Sequence, residues 1–196
     1  MVSLFLIILF CFCISVRASP SAEDIAWLKA KISQNETAAL SVKRVHVLRL
    51  SPGEDLIESM WKYARCNNIK AASIVSVVGS LTNTNIRYAN QNDTVSLNGH
   101  FEIVSVVGNI DYQKTESADY EGSGHIHLSV SDGSGVTIGG HAVAGNIVYT
   151  TAEITILEMD GLFDRVLDDG KDGSGYYELQ VFYPEEARNI NSTLSL

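Results

Sequence analysis

The stretch "GHIHLSVSDGSGVTIGGH", residues 124–141, predicts a β-hairpin and determines which of its residues share a face. In its first half, Ile126, Leu128 and Val130 alternate with polar residues, which is typical of a strand with one buried face. The second half continues the alternation with Val136 and Ile138. All five apolar side chains share one face only if the residue numbers of each cross-strand pair sum to an even value.

This parity rule leads to a specific register and loop. We predict that Val130 pairs with Val136 and Leu128 with Ile138. Residues 132–134 then form a three-residue loop, and Gly135 follows it to supply a positive φ or a bulge. The polar side chains of both strands then lie together on the opposite face.

The polar face of this hairpin carries three of the five histidines of the chain. The predicted register places His125 opposite His141, with His127 beside them. Paired Cβ atoms lie about 4.5–5.5 Å apart, so the three imidazoles can meet at zinc–nitrogen distances of about 2.0–2.1 Å. Gly139 and Gly140 would leave room for a metal, a water or a ligand. The alternative is that the histidines are hydrogen-bonded surface or interface residues without a metal.

Acidic residues near these strands are candidates for further chemistry. Glu153, in "YTTAEITILE", is a candidate fourth ligand, general base or partner of a ligand, and its alternative role is a salt bridge at a sheet edge or an interface. His100 and Glu102 carry the same ambiguity with less geometric support. His46, within "VKRVHVLRL", is interpreted as an ordinary strand histidine. Catalytic residues are otherwise undetermined.

The N-terminal residues indicate a secretory route. Residues 4–16 form an apolar run that is short for a membrane span and is followed by small residues. We interpret residues 1–18 as a signal peptide cleaved after Ala18, with an uncleaved anchor as the alternative. Asn35, Asn92 and Asn191 begin Asn-X-Ser/Thr acceptor patterns, so we expect a secreted glycoprotein with no membrane attachment after cleavage.

Charge and cysteine content constrain the partners and the stability of the mature chain. Removal of Arg17 with the signal leaves 13 basic and 23 acidic residues, a formal charge of −10. We therefore expect no nucleic-acid partner, because an acidic surface repels phosphate backbones. Cys66 is the one cysteine left, so no internal disulfide can form, and its interpretation is a buried inert thiol.

Capping signals and strand-like segments predict the fold class. "SAEDIAWLKAKIS", residues 21–33, predicts an amphipathic helix that docks on the domain, with Ser21 as cap and Asp24 three residues on to complete a capping box. "SPGEDLIESMWKYARCNN" predicts a second helix, with Ser51 as cap, Pro52 in the first turn and Glu54 completing a capping box. Strand-like segments dominate after Asn68. We predict one α+β domain with a mainly antiparallel sheet and one principal helix.

Several separated motifs resemble the plant and prokaryote conserved (PPC) domain family. They are "RVHVLRLSPGEDLIESMWKYARCNN", "GHFEIVSVVGNI", "GHIHLSVSDGSGVTIGGH" and "FDRVLDDGKDGSGYYELQV". The resemblance covers residues 43–183, with residues 19–42 as an N-terminal helix and connector and 184–196 as a tail. It implies one principal helix on an antiparallel sheet and a homotrimeric assembly.

The resemblance also bears on function. In plant nuclear proteins the domain follows AT-hook motifs, but this chain has no basic "RGRP" segment. Many prokaryotic relatives keep the histidine pattern that His125, His127 and His141 match, and there the triad is similar to a site for zinc or another divalent transition metal.

Two hypotheses follow from the residues and the resemblance. The first is a secreted homotrimeric binding or assembly module with a three-histidine metal site and a possible small-molecule ligand at the metal. The alternative is a metal-dependent hydrolase or lyase that acts on a small polar substrate, with Glu153 as base. The residues leave open whether the site is catalytic, and a binding role is the first hypothesis.

Overall fold

The computed structural model describes residues 21–111, 124–171 and 173–183. It confirms the predicted α+β class, in which two helices accompany a mainly antiparallel sheet. Neither described helix is long and apolar enough to cross a membrane. The elements are α1 (Ala22–Ser33), β1 (Val42–Leu50), α2 (Leu56–Cys66), β2 (Ala71–Arg87), β3 (Thr94–Asp111), β4 (Gly124–Ser131), β5 (Thr137–Ala142), β6 (Ile147–Met159), β7 (Leu162–Leu167) and β8 (Tyr177–Phe182).

Six strands form one sheet in the order β1-β6-β2-β3-β4-β5, and β7 and β8 form a separate two-stranded sheet. The larger sheet curls back on itself, because the end of β5 also pairs with the end of β2. Ile86 pairs there with Ala142, and Arg87 pairs with His141. This closure connects residues that are far apart in the sequence, and the sequence patterns did not predict it.

The helix α2 packs on the inner face of the sheet. Its Leu56, Ile57 and Met60 are fully buried in a core that the inward residues of β2, β4 and β6 complete. The helix starts later than predicted, because its N-cap is Asp55, whose carboxylate accepts from the backbone N–H groups of Ile57 and Glu58. The predicted cap residues form a turn before it.

The helix α1 has the predicted cap but not the predicted packing. Ser21 and Asp24 form the expected capping box. The apolar residues Ile25, Leu28 and Ile32 are all exposed, and no residue of α1 is buried. The docking of this helix on the domain was therefore predicted wrongly, because helical periodicity identifies an apolar stripe but not a surface that covers it.

The β4–β5 hairpin forms with the predicted faces but a shifted register. Val130 pairs with Ile138, rather than with Val136. The three loop residues are 133–135, because the Asp132 carboxylate accepts from the backbone N–H groups of Ser134 and Val136, and Gly135 adopts φ 82° inside the loop. The residue numbers of each cross-strand pair now add up to a value two higher than predicted. This value is still even, so the same side chains lie on the buried face.

The outer side of the six-stranded sheet carries a group of exposed valines, which we call the open face. Its six valines lie on β1, β2 and β3 and are between 54% and 73% exposed: Val45, Val47, Val75, Val78, Val104 and Val107. The polar residues of β4 and β5 stand on the same outer side. The three hairpin histidines therefore lie at one end of this surface.

Candidate metal centre

The three hairpin histidines form one cluster. One ring nitrogen from each of His125, His127 and His141 lies within 4.8 Å of the other two. The closest pair is His125 Nε2 and His127 Nε2, 3.1 Å apart. The shifted register places His127, rather than His125, directly opposite His141, so that part of the prediction was wrong. Convergence survives the shift, because His125 and His127 are successive residues on one face of β4.

The position of His141 depends on how closely β5 approaches its neighbours. A Cβ on Gly140 would lie 2.6 Å from the Arg87 carbonyl oxygen, and one on Gly139 would lie 2.8 Å from the Leu128 carbonyl oxygen. The two glycines therefore permit tight strand packing, and the space that they leave is filled by backbone rather than by a ligand, contrary to the sequence interpretation.

The loop that follows β5 holds the β2–β5 closure in place. Asn146 is fully buried, and its side-chain oxygen accepts from Thr84 Oγ1 at 2.9 Å and from the Asn85 backbone N–H at 3.0 Å. Its amide group donates to the Val143 and Asn85 carbonyl oxygens. This network fixes the chain directly after His141.

Burial and nearby cations lower the pKa of two histidines of the cluster. Burial, followed by the charge of Arg87, lowers the pKa of His141 to about 4. Burial and the neighbouring His127 also lower the pKa of His125. Since unprotonated imidazole is the form that binds metals, His141 is already in its ligating form at neutral pH.

Charged residues from four other strands lie near the cluster, and sequence reasoning missed them. Arg87, at the end of β2, is the cross-strand partner of His141 on β5. Arg165 on β7 donates from Nε to Asp111 Oδ2 at 2.7 Å, and this pair lies at the β3 end next to His125. Glu178 on β8 acts electrostatically on His125 and opposes the effect of the two arginines. A local motif could not reveal these residues, because only long-range pairing brings them together.

The other predicted site residues lie elsewhere. Glu153 is on β6 opposite Val78 of β2, nine residues along that strand from the partner of His141, and it is not a member of the cluster. It is also opposite Arg49 of β1, but within the described residues the two side chains make no ion pair, so the salt-bridge alternative stays a prediction. His100 stacks on Tyr149 with ring centroids 3.9 Å apart, and neither His100 nor Glu102 belongs to the cluster.

Two single residues have structural rather than ligating surroundings. His46 is buried, and its ring nitrogens contact Tyr63 Oη at 3.0 Å and Glu158 Oε2 at 2.9 Å, which agrees with its interpretation as a strand histidine. Cys66, at the end of α2, is exposed rather than buried, because the helix ends there with its last turn turned to solvent.

The histidine cluster fits a divalent transition metal. Buried His141 Nδ1 has no hydrogen-bond partner within the described residues, which is costly for a polar atom. Tetrahedral zinc at about 2.0–2.1 Å from each ligand separates its donor atoms by about 3.3 Å, close to the 3.1 Å between His125 Nε2 and His127 Nε2. Three neutral imidazoles are also an established donor set for zinc.

The fold and the cluster together define a class of protein: a small domain with a curled antiparallel sheet, one packed helix and three histidines on a hairpin. The model of the Plants and Prokaryotes Conserved (PCC) domain, also written PPC, matches residues 37–160. The chain belongs to this family, which confirms the resemblance. The match ends before the β7–β8 hairpin, which lies at residues 162–182.

Relatives and solved structures agree with this assignment. The chain is 35% identical over 145 residues to the bifunctional protein GlmU of Synechococcus sp. (strain JA-3-3Ab), covering 74% of this chain but 21% of that protein. A hypothetical protein from Salmonella matches with TM-score 0.65 and 35% identity, over 74% of this chain and 97% of that one. The PPC protein of Pyrococcus horikoshii matches with TM-score 0.59 and 28% identity, over 72% and 96%.

Plant relatives overturn three predictions about partners and location. AT-hook motif nuclear-localized protein 29 of Arabidopsis thaliana is 32% identical over 114 residues, or 53% of this chain and 36% of that protein. The predictions of a secreted location, of a secreted assembly module and of a protein without nucleic-acid partners are therefore wrong. Net charge misled because it sums over the whole chain and says nothing about a local site.

Some sequence predictions concern residues that the structure does not describe or test. The predicted signal peptide and the acceptor Asn191 lie outside the described residues. Asn35 is partly buried in the connector after α1 and Asn92 is exposed in the β2–β3 loop, and glycosylation at these positions stays a prediction.

Proposed function

We propose that this PCC domain binds a divalent transition metal ion, zinc in the first instance, through His125, His127 and His141. The observation that carries the proposal is the approach of three imidazole nitrogens to within 4.8 Å of one another on one hairpin. Such an ion would supply a Lewis-acidic centre with a position open to a ligand. The chain's own contribution is to hold three imidazoles together on one hairpin, in a cluster that has no carboxylate among the described residues.

Two features support metal binding over a purely structural role. His125 and His127 are exposed, so hydration would satisfy them if they faced solvent independently, yet their Nε2 atoms point at each other. The low pKa of His141, about 4, also means that little proton competition opposes metal binding near neutral pH.

Metal content tests this function directly. We expect the wild-type protein, loaded with zinc and freed of excess, to retain one ion per chain by elemental analysis. His127→Ala should lower zinc affinity by about 100-fold or more, because one of three ligands is lost. His100→Ala is the matched control, since His100 is an exposed histidine outside the cluster. A wild type without retained metal, or equal retention in all three proteins, would refute the proposal.

We further propose that the open face is a contact surface between copies of the chain, in the homotrimer that the family resemblance implies. Four of its six valines lie on the adjacent strands β2 and β3, and two lie on β1, which β6 separates from β2. Burial of these exposed apolar side chains is favourable. Residues that pack against the core cannot provide this surface, because they point to the other side of the sheet.

Native mass tests the assembly. Val75→Asp should convert a trimer into a monomer in native mass spectrometry, because the contact would bury an unpaired carboxylate. Leu28→Asp adds the same charge at an exposed apolar position on α1 and should leave the mass unchanged. A monomeric wild type, or an unchanged trimer in Val75→Asp, would rule this contact out.

A further inference from the structure

An arginine lies directly beside the histidine cluster. Arg87 is the direct cross-strand partner of His141, so their Cβ atoms lie about 4.5–5.5 Å apart and their side chains share a face. Within the described residues, the Arg87 guanidinium donates to the Gln91 carbonyl oxygen at 3.2 Å and makes no ion pair. Among residues 21–111, 124–171 and 173–183, no carboxylate therefore pairs with this positive charge.

A second arginine approaches from the β7–β8 side. The Arg165 side chain is 7% exposed, and its Nε is held by buried Asp111, which fixes the guanidinium in position. Arg165 and Asp111 lie at the end of β3, two residues beyond Asn109, the cross-strand partner of His125. This second guanidinium is therefore near the cluster, but Asp111 already balances its charge.

We propose that Arg87 forms an anion-recognition subsite beside the three-histidine site, which therefore takes a ligand with an oxyanion group such as a phosphate. This inference rests on the proposed metal function and names the ligand class of that site. A guanidinium matches the oxygens of phosphate through two parallel hydrogen bonds. The Arg87 guanidinium next to a divalent ion would repel cationic ligands and attract anionic ones.

The phosphate can be free or carried by a nucleic acid, and the two sources share the same chemistry. The nuclear AT-hook relatives make a nucleic acid a relevant probe. A local arginine subsite is also compatible with the acidic chain, whose formal charge is −9, because contacts at short range are less sensitive to the net charge.

Calorimetric titration of the full chain tests the subsite in two steps. The metal content of each protein is measured first, and inorganic phosphate and a short DNA duplex are then titrated into the zinc-loaded and metal-free forms. We expect at least one probe to bind the zinc-loaded wild type, and Arg87→Gln to weaken that binding about 10- to 100-fold with the metal content unchanged. Arg87→Lys should be intermediate, because it keeps the charge but loses the paired hydrogen bonds.

A matched variant separates the subsite from general electrostatics. Arg49→Gln removes the same charge from an exposed arginine on β1 and should leave the binding of either probe unchanged. If metal is bound but neither probe binds, or if Arg87→Gln and Arg49→Gln behave alike, the subsite is refuted while the metal function stands. If the wild type binds no metal, the proposed function fails, and this inference fails with it.

Discussion

Gly108→Ala is expected to destabilise the protein by about 3 kcal/mol or more, because the added Cβ has no space. That atom would lie 2.1 Å from the His125 carbonyl oxygen and 2.7 Å from the Ile126 Cα, both of them backbone atoms of the neighbouring strand. Gly108 also adopts φ 152°, which an alanine rarely does. Relief of the overlap would push β4 away from β3 and displace His125.

Urea unfolding measures this effect, and thermal unfolding should show a Tm lowered by about 6–12 °C. Gly133→Ala is the control, because a Cβ there meets no atom within 4 Å and the residue is in the hairpin loop. We expect the control to stay within about 0.5 kcal/mol of the wild type. A Gly108→Ala protein as stable as the control would contradict the close approach of the two strands.

Arg165→Met is expected to cost about 3–5 kcal/mol of stability, because it leaves the carboxylate of Asp111 buried without its partner. Asp111 is 1% exposed, and its Oδ1 has no hydrogen-bond partner within the described residues. Burial raises the pKa of Asp111 even with Arg165 present. In the variant, the Asp111 carboxyl group binds a proton more tightly in the folded chain than in the unfolded chain. Protonation therefore favours folding, and the loss of stability should shrink as the pH falls towards 4.

A double-mutant cycle by urea unfolding checks this origin. Adding Asp111→Asn to Arg165→Met removes the stranded charge and should recover a substantial part of the loss. Lys31→Met breaks the exposed pair with Glu36, whose side chains are 40% and 39% exposed, and should cost less than about 1 kcal/mol. If the double variant is no more stable than Arg165→Met, the buried charge is not the cause of the loss.

The parts of the fold that local patterns control were predicted well. The strand β4 has the predicted bounds, Gly124–Ser131, and the apolar side chains of Ile126, Leu128 and Val130 are buried as the alternation required. The capping box of α1 also formed as predicted, since it depends on residues three positions apart. The packing of α1 was not predicted, because it depends on a surface elsewhere in the molecule.

The candidate site divides in the same way. Alternation in residues 124–141 determined that the three histidines share the polar face, because that face depends only on the two-residue period of a strand. The exact pairing depended on the hydrogen bonds of the loop. The Asp132 carboxylate holds a loop in which Val130 pairs with Ile138, two residues beyond its predicted partner. A shift of this size changes which residues are opposite each other but not the face that they occupy.

The sequence by itself determined the class of the fold, the family and the three histidines that meet on one hairpin. Only the tertiary structure decided what surrounds them, because β2 closes onto β5 and brings Arg87 beside His141. It also decided that Glu153 is not part of the cluster, since this residue is opposite Val78, nine residues along β2 from Arg87. Local periodicity fixes the face of a side chain, whereas the strands that become its neighbours depend on packing across the whole chain.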